Sequence, residues 1–215
     1  MPLTVHTLTV GPLQANCHLI VNEETSQAIV VDPGDEAHRI LGIAEEYGAT
    51  ITAIWLTHAH IDHIGGLAAL KKQTGAPITV HEAEKEWLMD GRLNLADAIM
   101  LPYEPVAADD FWQPGNPVEA LGVWWRIEHF PGHSPGSVAI ISDAEKIAMT
   151  GDLIFRGSMG RVDLPGGDEI AMADSLRRFL EEDVALRCYV GHGPDTTVGV
   201  EREQNILISE FLDSF

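Results

Sequence analysis

Short apolar runs separated by turn residues recur along the chain, with spacings that alternate between those of strands and those of helices. The first run alternates apolar and polar positions and is closed by Gly11-Pro12, and two further strand-like runs follow around a turn at residues 22–25. Such runs predict strands that pair antiparallel at one end of a sheet. An amphipathic helix is predicted next, over residues 37–47, and Gly48 ends it. The strands predicted in this part span residues 3–10, 16–21 and 27–31.

The remainder of the chain continues to mix strand and helix patterns, which indicates an α/β protein built in layers. Residues 90–116 interrupt this pattern with several prolines and aromatic side chains. Two interpretations stay open for that segment: it lines a substrate pocket, or its aromatic residues pack on the domain. Further strands are predicted over residues 51–56, 76–80, 122–130, 137–141, 146–149 and 185–190, and helices over 67–72, 82–89, 168–182 and 201–215.

A cluster of metal-type side chains lies in residues 57–66, directly after the apolar strand 51–56. It contains His58, His60, Asp62 and His63. Open α/β sheets bind ligands at the carboxyl ends of their strands, and imidazole and carboxylate are ligands for borderline divalent ions. Four such residues in one loop would supply parts of two adjacent metal sites. A surface histidine cluster or a purification tag is the alternative, but tags lie at termini and lack the interleaved aspartate.

Three more ligand-type residues, His133, Asp152 and His192, also follow apolar strands and stand beside glycine. Each alone is unremarkable, yet with the cluster they make seven ligands, enough for two divalent metal ions with water. We expect zinc, and iron or manganese also suits these ligands. Asp32 ends another strand, and two interpretations of it stay open. It forms a turn, or its carboxylate fixes a metal-bound imidazole.

Charge and hydropathy limit the partners that the chain can have. Its 215 residues include 13 basic and 33 acidic side chains, a formal net charge of −20. Because an acidic protein repels phosphate backbones, no nucleic-acid partner is expected. No apolar run approaches the length of a membrane-spanning helix, and the chain opens like a strand and not like a signal peptide. We therefore expect a cytoplasmic protein without a membrane partner. The sequence does not determine its oligomeric state.

The chain contains two cysteines, Cys17 and Cys188. Two are too few for a disulfide framework. Both stand in apolar surroundings and are expected to be small buried residues, with a single disulfide left open.

These motifs resemble the metallo-β-lactamase superfamily of hydrolases over nearly the whole chain. The resemblance implies the α/β fold of that superfamily, a four-layer αββα sandwich, formed as a single domain over residues 1–215. Residues 131–137 and 151–155 are most similar to the glyoxalase II group, the hydroxyacylglutathione hydrolases. Residues 160–163 resemble both the short members of that group and the persulfide dioxygenases.

The resemblance also implies a role for each candidate residue. Asp32 supports the site, and Asp62 orients the nucleophile while remaining a ligand. A carboxylate at position 152, where a zinc β-lactamase typically carries a cysteine, argues against antibiotic hydrolysis. By the family's pattern the first metal is held by His58, His60 and His133, and the second by Asp62, His63 and His192, with Asp152 bridging.

Two departures separate the chain from full-length glyoxalase II. Those enzymes have a carboxyl-terminal helical domain that contacts glutathione, whereas this chain stops at Phe215. The family's tyrosines near the thiol substrate also fail to match, since Asp163 stands two residues beyond Arg161 and Pro194 stands near the last histidine. Arg161 does fall where those enzymes place a lysine near the glutathione carboxylate, and a guanidinium can bind a carboxylate bidentately. The alternative role of Arg161 is to hold its glycine-rich loop against Asp163. We expect a small-molecule thioester substrate, possibly derived from glutathione, such as S-lactoylglutathione.

Other functions stay open from the sequence. A persulfide dioxygenase, which uses a single iron ion and oxygen, carries the same histidines, so the motifs do not separate it from a thioesterase. A lactonase and a non-catalytic metal-binding module are further alternatives.

Overall fold

A computed structural model describes residues 3–215, and the chain divides into two compact units. The first consists of Met1–Trp112 with Glu119–Val123, and the second of Gln113–Val118 with Trp124–Phe215. Each unit has its own buried apolar cluster. One domain over residues 1–215 therefore stays a prediction. Among the described residues no helix is long and apolar enough to cross a membrane.

Six strands of the first unit form one sheet, in chain order. The first three strands pair antiparallel, as predicted, and the last three join them in parallel. Every residue of the second strand is buried, in keeping with its apolar composition. The strands are β1 (Thr4–Val10), β2 (Ala15–Asn22), β3 (Gln27–Val31), β4 (Thr50–Trp55), β5 (Ile78–His81) and β6 (Asp110–Trp112).

Helices connect the parallel strands of this unit, because a parallel pair requires a crossover. The first, α1 (Ala37–Glu46), links β3 to β4. A single turn, α2 (Ile61–Ile64), and the longer α3 (Leu67–Thr74) link β4 to β5. Fully buried side chains such as Ile40 on α1 and Leu70 on α3 belong to the apolar cluster of the unit.

The second sheet also has six strands, β7 to β10, β13 and β14. The strand order of this sheet is β14-β13-β10-β9-β8-β7, and β10 and β13 are parallel. The two remaining strands, β11 and β12, form a separate hairpin. The strands are β7 (Val118–Ala120), β8 (Val123–His129), β9 (Val138–Ser142), β10 (Ile147–Gly151), β11 (Ile154–Phe155), β12 (Ser158–Met159), β13 (Arg187–Val190) and β14 (Thr196–Thr197). The helices are α4 (Glu169–Phe179), α5 (Val198–Gln204) and α6 (Ile206–Leu212).

The predicted cap of α4 is confirmed. The Asp168 side chain accepts a hydrogen bond from the Ala171 amide at 2.9 Å, which satisfies one of the free N–H groups at the helix start. Met172 and Phe179 are buried on the inner face of α4, which connects β10 to its parallel neighbour β13.

Three expectations about local structure are wrong. Residues 57–66 are not all loop, because α2 winds one helical turn after His60, whose carbonyl accepts from the His63 amide at 2.9 Å. Only Glu82–Glu84 of the predicted helix 82–89 is helical, as one 3₁₀ turn. The predicted helix 201–215 is two helices, because Asn205 leaves helical geometry and its side chain accepts from the Ile208 amide, capping α6.

The aromatic residues of segment 90–116 mostly pack inside the first unit. Trp112 is buried and donates its indole N–H to the Leu56 carbonyl at 3.0 Å. The Tyr103 hydroxyl donates to the Leu88 carbonyl at 2.6 Å, and burial raises the pKa of Tyr103 to about 12. Both cysteines are buried free thiols, which confirms their interpretation as small apolar residues.

Candidate functional site

The candidate residues of the first unit lie at the carboxyl ends of two neighbouring parallel strands. Asp32 follows β3, and residues 57–66 begin just after β4. The Asp32 amide donates to the Trp55 carbonyl at 3.0 Å, so the two strand ends stay side by side. This is the edge at which open α/β sheets gather ligands.

Asp32 is a buried carboxylate that fixes the start of the histidine cluster. It accepts from the Thr57 amide at 2.8 Å and from the Thr57 hydroxyl at 2.6 Å, and its Oδ2 lies 3.1 Å from His63 Nδ1. Its φ of +51° is a left-handed conformation that aspartate tolerates better than most residues. The Asp32 charge also reaches Cys17, where burial first and this carboxylate second raise the thiol pKa well above its usual value.

The same network assigns the protons of two imidazoles. The Thr57 hydroxyl donates its proton to Asp32, so a lone pair of the hydroxyl oxygen faces His58 Nδ1, 3.1 Å away. This oxygen accepts a hydrogen bond from the Nδ1–H of His58. His63 Nδ1 donates to Asp32 in the same way. A neutral imidazole with Nδ1 protonated presents Nε2 as its lone-pair donor. His58 and His63 therefore both offer Nε2 to a metal ion.

His60 and Asp62 complete this group of side chains. The His58 ring centroid lies 4.9 Å from that of His60 and 4.2 Å from that of His63. Asp62 Oδ2 lies 3.9 Å from His63 Nε2, and its side chain is 16% exposed, unlike the buried histidines. Donor atoms of Asp32, His58 and His63 lie within 4.8 Å of one another. Since the Asp32 oxygens take hydrogen bonds, we assign Asp32 as a support and not as a ligand.

Two features that hold this cluster were not predicted from the sequence. A Cβ on Gly34 would lie 1.7 Å from the Asp62 carbonyl oxygen, so α2 packs directly on a position that only glycine fits. Glu84 is fully buried, and its Oε2 accepts from the Ala59 amide, between two candidate ligands, at 3.2 Å. An acidic residue in an ordinary amphipathic stretch gives no sequence signal of that burial.

In the second unit the candidate residues again follow parallel strands. Asp152 comes directly after β10, and His192 comes two residues after β13. The Gly191 amide donates to the Gly151 carbonyl at 2.8 Å, which aligns the two strand ends. One carboxylate oxygen, Asp152 Oδ2, lies 3.4 Å from His133 Nε2 and 3.6 Å from His192 Nε2.

The glycine-rich loop after β12 orients His133. His133 Nδ1 lies 2.8 Å from the Arg161 carbonyl oxygen, to which it donates, so Nε2 is the atom turned toward Asp152. A Cβ on Gly160 would lie 1.8 Å from the Asp152 carbonyl and 3.2 Å from His133 Cγ. The loop therefore passes against both residues. Sequence reasoning missed this contact, because a main-chain carbonyl carries no residue signature.

The Arg161 side chain contacts Asp163, which is the alternative role considered for it in the sequence analysis. Its guanidinium pairs bidentately with Asp163, with N–O distances of 2.6 and 2.7 Å. Both side chains are more than half exposed. The hydrogen bond from Arg161 lowers the pKa of Asp163 to about 2. The role of Arg161 in binding substrate stays a prediction.

The donor set fits divalent metal ions. Two ligand atoms about 2.1 Å from one tetrahedral ion lie about 3.4 Å apart, which matches the distances from Asp152 Oδ2 to the two imidazoles. These distances exceed those of ordinary hydrogen bonds. The imidazoles of His63 and His133 are each held at Nδ1 by an oxygen, as metal-bound histidines commonly are.

Comparisons with known proteins agree with this chemistry. A family model described as the metallo-β-lactamase superfamily matches residues 10–192. A curated relative from Haemophilus influenzae, named hydroxyacylglutathione hydrolase GloC, is 34% identical over 96% of this chain and 99% of its own. The crystal structure of BLEG-1, titled a B3 metallo-β-lactamase, is 32% identical with a TM-score of 0.90, and covers 94% of this chain and 98% of its own.

A second solved structure, TTHA1623 in a di-iron-bound form, is 37% identical with a TM-score of 0.84, and the match covers 94% of this chain and 98% of that one. These likenesses confirm the predicted metallo-β-lactamase fold. The histidine and aspartate groups support bound divalent metal ions. The chain belongs to the metallo-β-lactamase superfamily and to its metallo-hydrolases.

Proposed function

We propose that this protein is a thioesterase that hydrolyses S-acyl glutathione, such as S-lactoylglutathione, with two divalent metal ions. The observation that carries the proposal is the position of Asp152 Oδ2, 3.4 and 3.6 Å from two imidazole nitrogens. An oxygen so placed suits a carboxylate shared by two metal ions. The relative named hydroxyacylglutathione hydrolase supports the substrate class.

The ligand set of the proposal follows the family pattern. The relative solved with two iron ions supports a pair of ions, and zinc, iron or manganese suits the donors. We assign His58, His60 and His133 to the first ion, Asp62, His63 and His192 to the second, and Asp152 to both.

Each protein group has a defined task in the reaction. Two bound divalent ions supply a water whose pKa falls from about 15.7 towards 7. Asp62, the partly exposed carboxylate, would accept a hydrogen bond from that water and orient it toward the thioester carbonyl while remaining a ligand. His58 and His63 keep their protons at Nδ1. Because a thiolate departs readily, no side chain has to act as a strong acid.

The overall charge of the protein favours a small-molecule substrate over nucleic acid. The net charge of −20 disfavours nucleic acid because such a protein repels phosphate backbones. We propose a small-molecule substrate and a cytoplasmic location. We propose that Arg161 exchanges Asp163 for a glutathione carboxylate, since the pair is exposed and a guanidinium binds carboxylates bidentately.

Elemental analysis of the purified protein, joined to a substrate panel, tests the proposal. We expect two metal ions per chain and hydrolysis of S-lactoylglutathione. The panel also contains glutathione persulfide with oxygen uptake, a lactone and a β-lactam, the last because BLEG-1 is titled a β-lactamase. One iron per chain with persulfide oxidation, or cleavage of the lactone or the β-lactam alone, contradicts the proposal.

A pair of variants isolates the carboxylate that carries the argument. Asp152→Asn should lose at least one metal ion and lower thioesterase kcat/KM by a hundredfold or more. Asp174→Asn removes the same charge from an exposed position on α4 and should leave both unchanged. If Asp152→Asn retained full metal content and activity, Asp152 would not bridge metal ions.

A further inference from the structure

A cavity of about 300 Å³ opens beside Asp62, within the first unit. Its walls come from the turn between β1 and β2, from α2 and its flanks, and from the irregular segment 90–116. The side chains used in the argument below are Leu13, Asp35, Ile61, Asp62, Leu101 and Pro102. Two residues of the irregular segment, Leu101 and Pro102, line the cavity, and Leu101 also packs against the apolar cluster of the unit.

The charges of the cavity wall have one sign. Asp35 and Asp62 line it, and none of the lining residues that the structure describes is a lysine or an arginine. Asp62 is assigned to a metal ion, whereas Asp35 is an exposed carboxylate of the wall. An anionic chain end that lies beside Asp35 would meet a carboxylate that no lysine or arginine of the described wall offsets.

The apolar part of the wall sets what the cavity can hold. Leu13, Ile61 and Leu101 present aliphatic surface, and Leu13 is 47% exposed and available to cover a ligand. Since a water molecule occupies about 30 Å³ of liquid, the volume has room for on the order of ten heavy atoms. A lactoyl group uses about half of that space.

We propose that this cavity receives the acyl group of the substrate and selects neutral apolar acyl chains longer than lactoyl over anionic chains. The proposal rests on the proposed thioesterase function, because Asp62 joins the cavity to the candidate site. Each additional methylene buried there raises affinity about three- to fourfold until the space is filled.

Binding of thioethers tests the cavity without requiring turnover. S-methylglutathione, S-hexylglutathione and an S-alkyl chain of equal length that ends in a carboxylate are titrated into the metal-loaded protein by calorimetry. We expect Kd for S-hexylglutathione to be at least tenfold lower than for the methyl compound. The carboxylate-ended compound should bind at least tenfold more weakly than the hexyl compound.

Two variants with the same charge change locate the selectivity. Asp35→Lys should remove the discrimination against the carboxylate-ended compound, so that its Kd approaches that of the hexyl compound. Glu45→Lys, on the exposed face of α1 and outside the cavity wall, should preserve the discrimination. Leu101→Trp should reduce the preference for hexyl over methyl at least fivefold by filling the space.

The outcomes separate the two proposals. Chain-length-dependent binding without hydrolysis of any thioester leaves the acyl cavity standing and overturns the thioesterase. Hydrolysis of S-lactoylglutathione with equal affinity for all three thioethers, or no thioether binding at all, overturns the cavity proposal. A preference that Leu101→Trp leaves unchanged overturns it as well, since the chain would then lie elsewhere.

Discussion

Replacing Asp32 by asparagine is a minimal change to the support of the histidine cluster. Asparagine has the shape of aspartate and also tolerates φ near +51°, so the backbone after β3 should be preserved. Its amide oxygen can still accept from the Thr57 amide, which now lies 2.8 Å from Asp32 Oδ1. The change falls on the other oxygen, which faces both the Thr57 hydroxyl and His63 Nδ1.

An amide NH₂ in that place donates where Oδ2 accepted. His63 can meet it only by accepting at Nδ1, which moves the imidazole proton to Nε2, the atom assigned to the metal. Loss of a supporting partner of this kind typically costs 10- to 100-fold in metal affinity. Hydrogen bonds to a charged group are worth about 1.5–3 kcal/mol against about 1 kcal/mol for neutral ones. We therefore expect a stability loss of about 1–3 kcal/mol, or roughly 2–10 °C in Tm for a chain of this length.

Two measurements on the same samples separate metal binding from stability. Competition with a chromophoric chelator gives the metal affinity, and thermal unfolding of the chelator-treated protein gives the stability without metal. Asp174→Asn serves as the charge-matched control, since its side chain is 71% exposed. A lower Tm with unchanged metal affinity would refute the tautomer argument and leave Asp32 with a structural role alone.

Three smaller predictions follow from local geometry. Gly160→Ala places a Cβ 1.8 Å from the Asp152 carbonyl and should lower metal content and Tm together, measured by elemental analysis and thermal unfolding; an unchanged metal content would contradict it. Gly42→Ala, in α1 with no atom within 4 Å of the new Cβ, should instead raise stability by about 0.5–1 kcal/mol in chemical denaturation, and a loss would contradict it. Burial raises the pKa of Cys188 to about 12 and that of Cys17 well above its usual value. A thiol reagent at pH 8 should therefore label neither cysteine in the native protein and both after unfolding. Rapid labelling of the native protein would contradict this prediction.

The strands were predictable because their apolar periods match how they are buried. β9 and β10 are buried along their whole length, and mostly apolar runs indicate such strands without any alignment. β2 is fully buried as well, although Asn16, His18 and Asn22 interrupt its apolar run. The Asp168 cap was predictable for a similar reason, since a capping residue acts on its own helix. The break at Asn205 was not, because its amphipathic pattern runs through both α5 and α6.

The ligand-type residues and the supporting carboxylate Asp32 could be proposed from the sequence, but the other supports could not. Residue type and spacing identify four of the ligand-type residues in the sequence, His58, His60, Asp62 and His63. Their orientation depends on contacts with residues distant in the chain, such as Glu84 with the Ala59 amide. From the sequence alone, a glutamate at position 84 would be predicted to be exposed to solvent, like most acidic residues.

The supports indicate that folding, and not metal binding, sets the orientation of the imidazoles. His63 donates its Nδ1 proton to a buried carboxylate, and His133 donates to a main-chain carbonyl. Asp32 is anchored by the pairing of strand ends in the first unit, and the loop that carries the Arg161 carbonyl packs at Gly160 against the Asp152 main chain in the second. The conformational entropy of ordering these side chains is therefore lost during folding, before an ion arrives. A site ordered in advance binds its ion with less loss than a flexible cluster of the same seven residues would, and this is why changes at the supporting atoms should weaken metal binding even though none of them is a ligand.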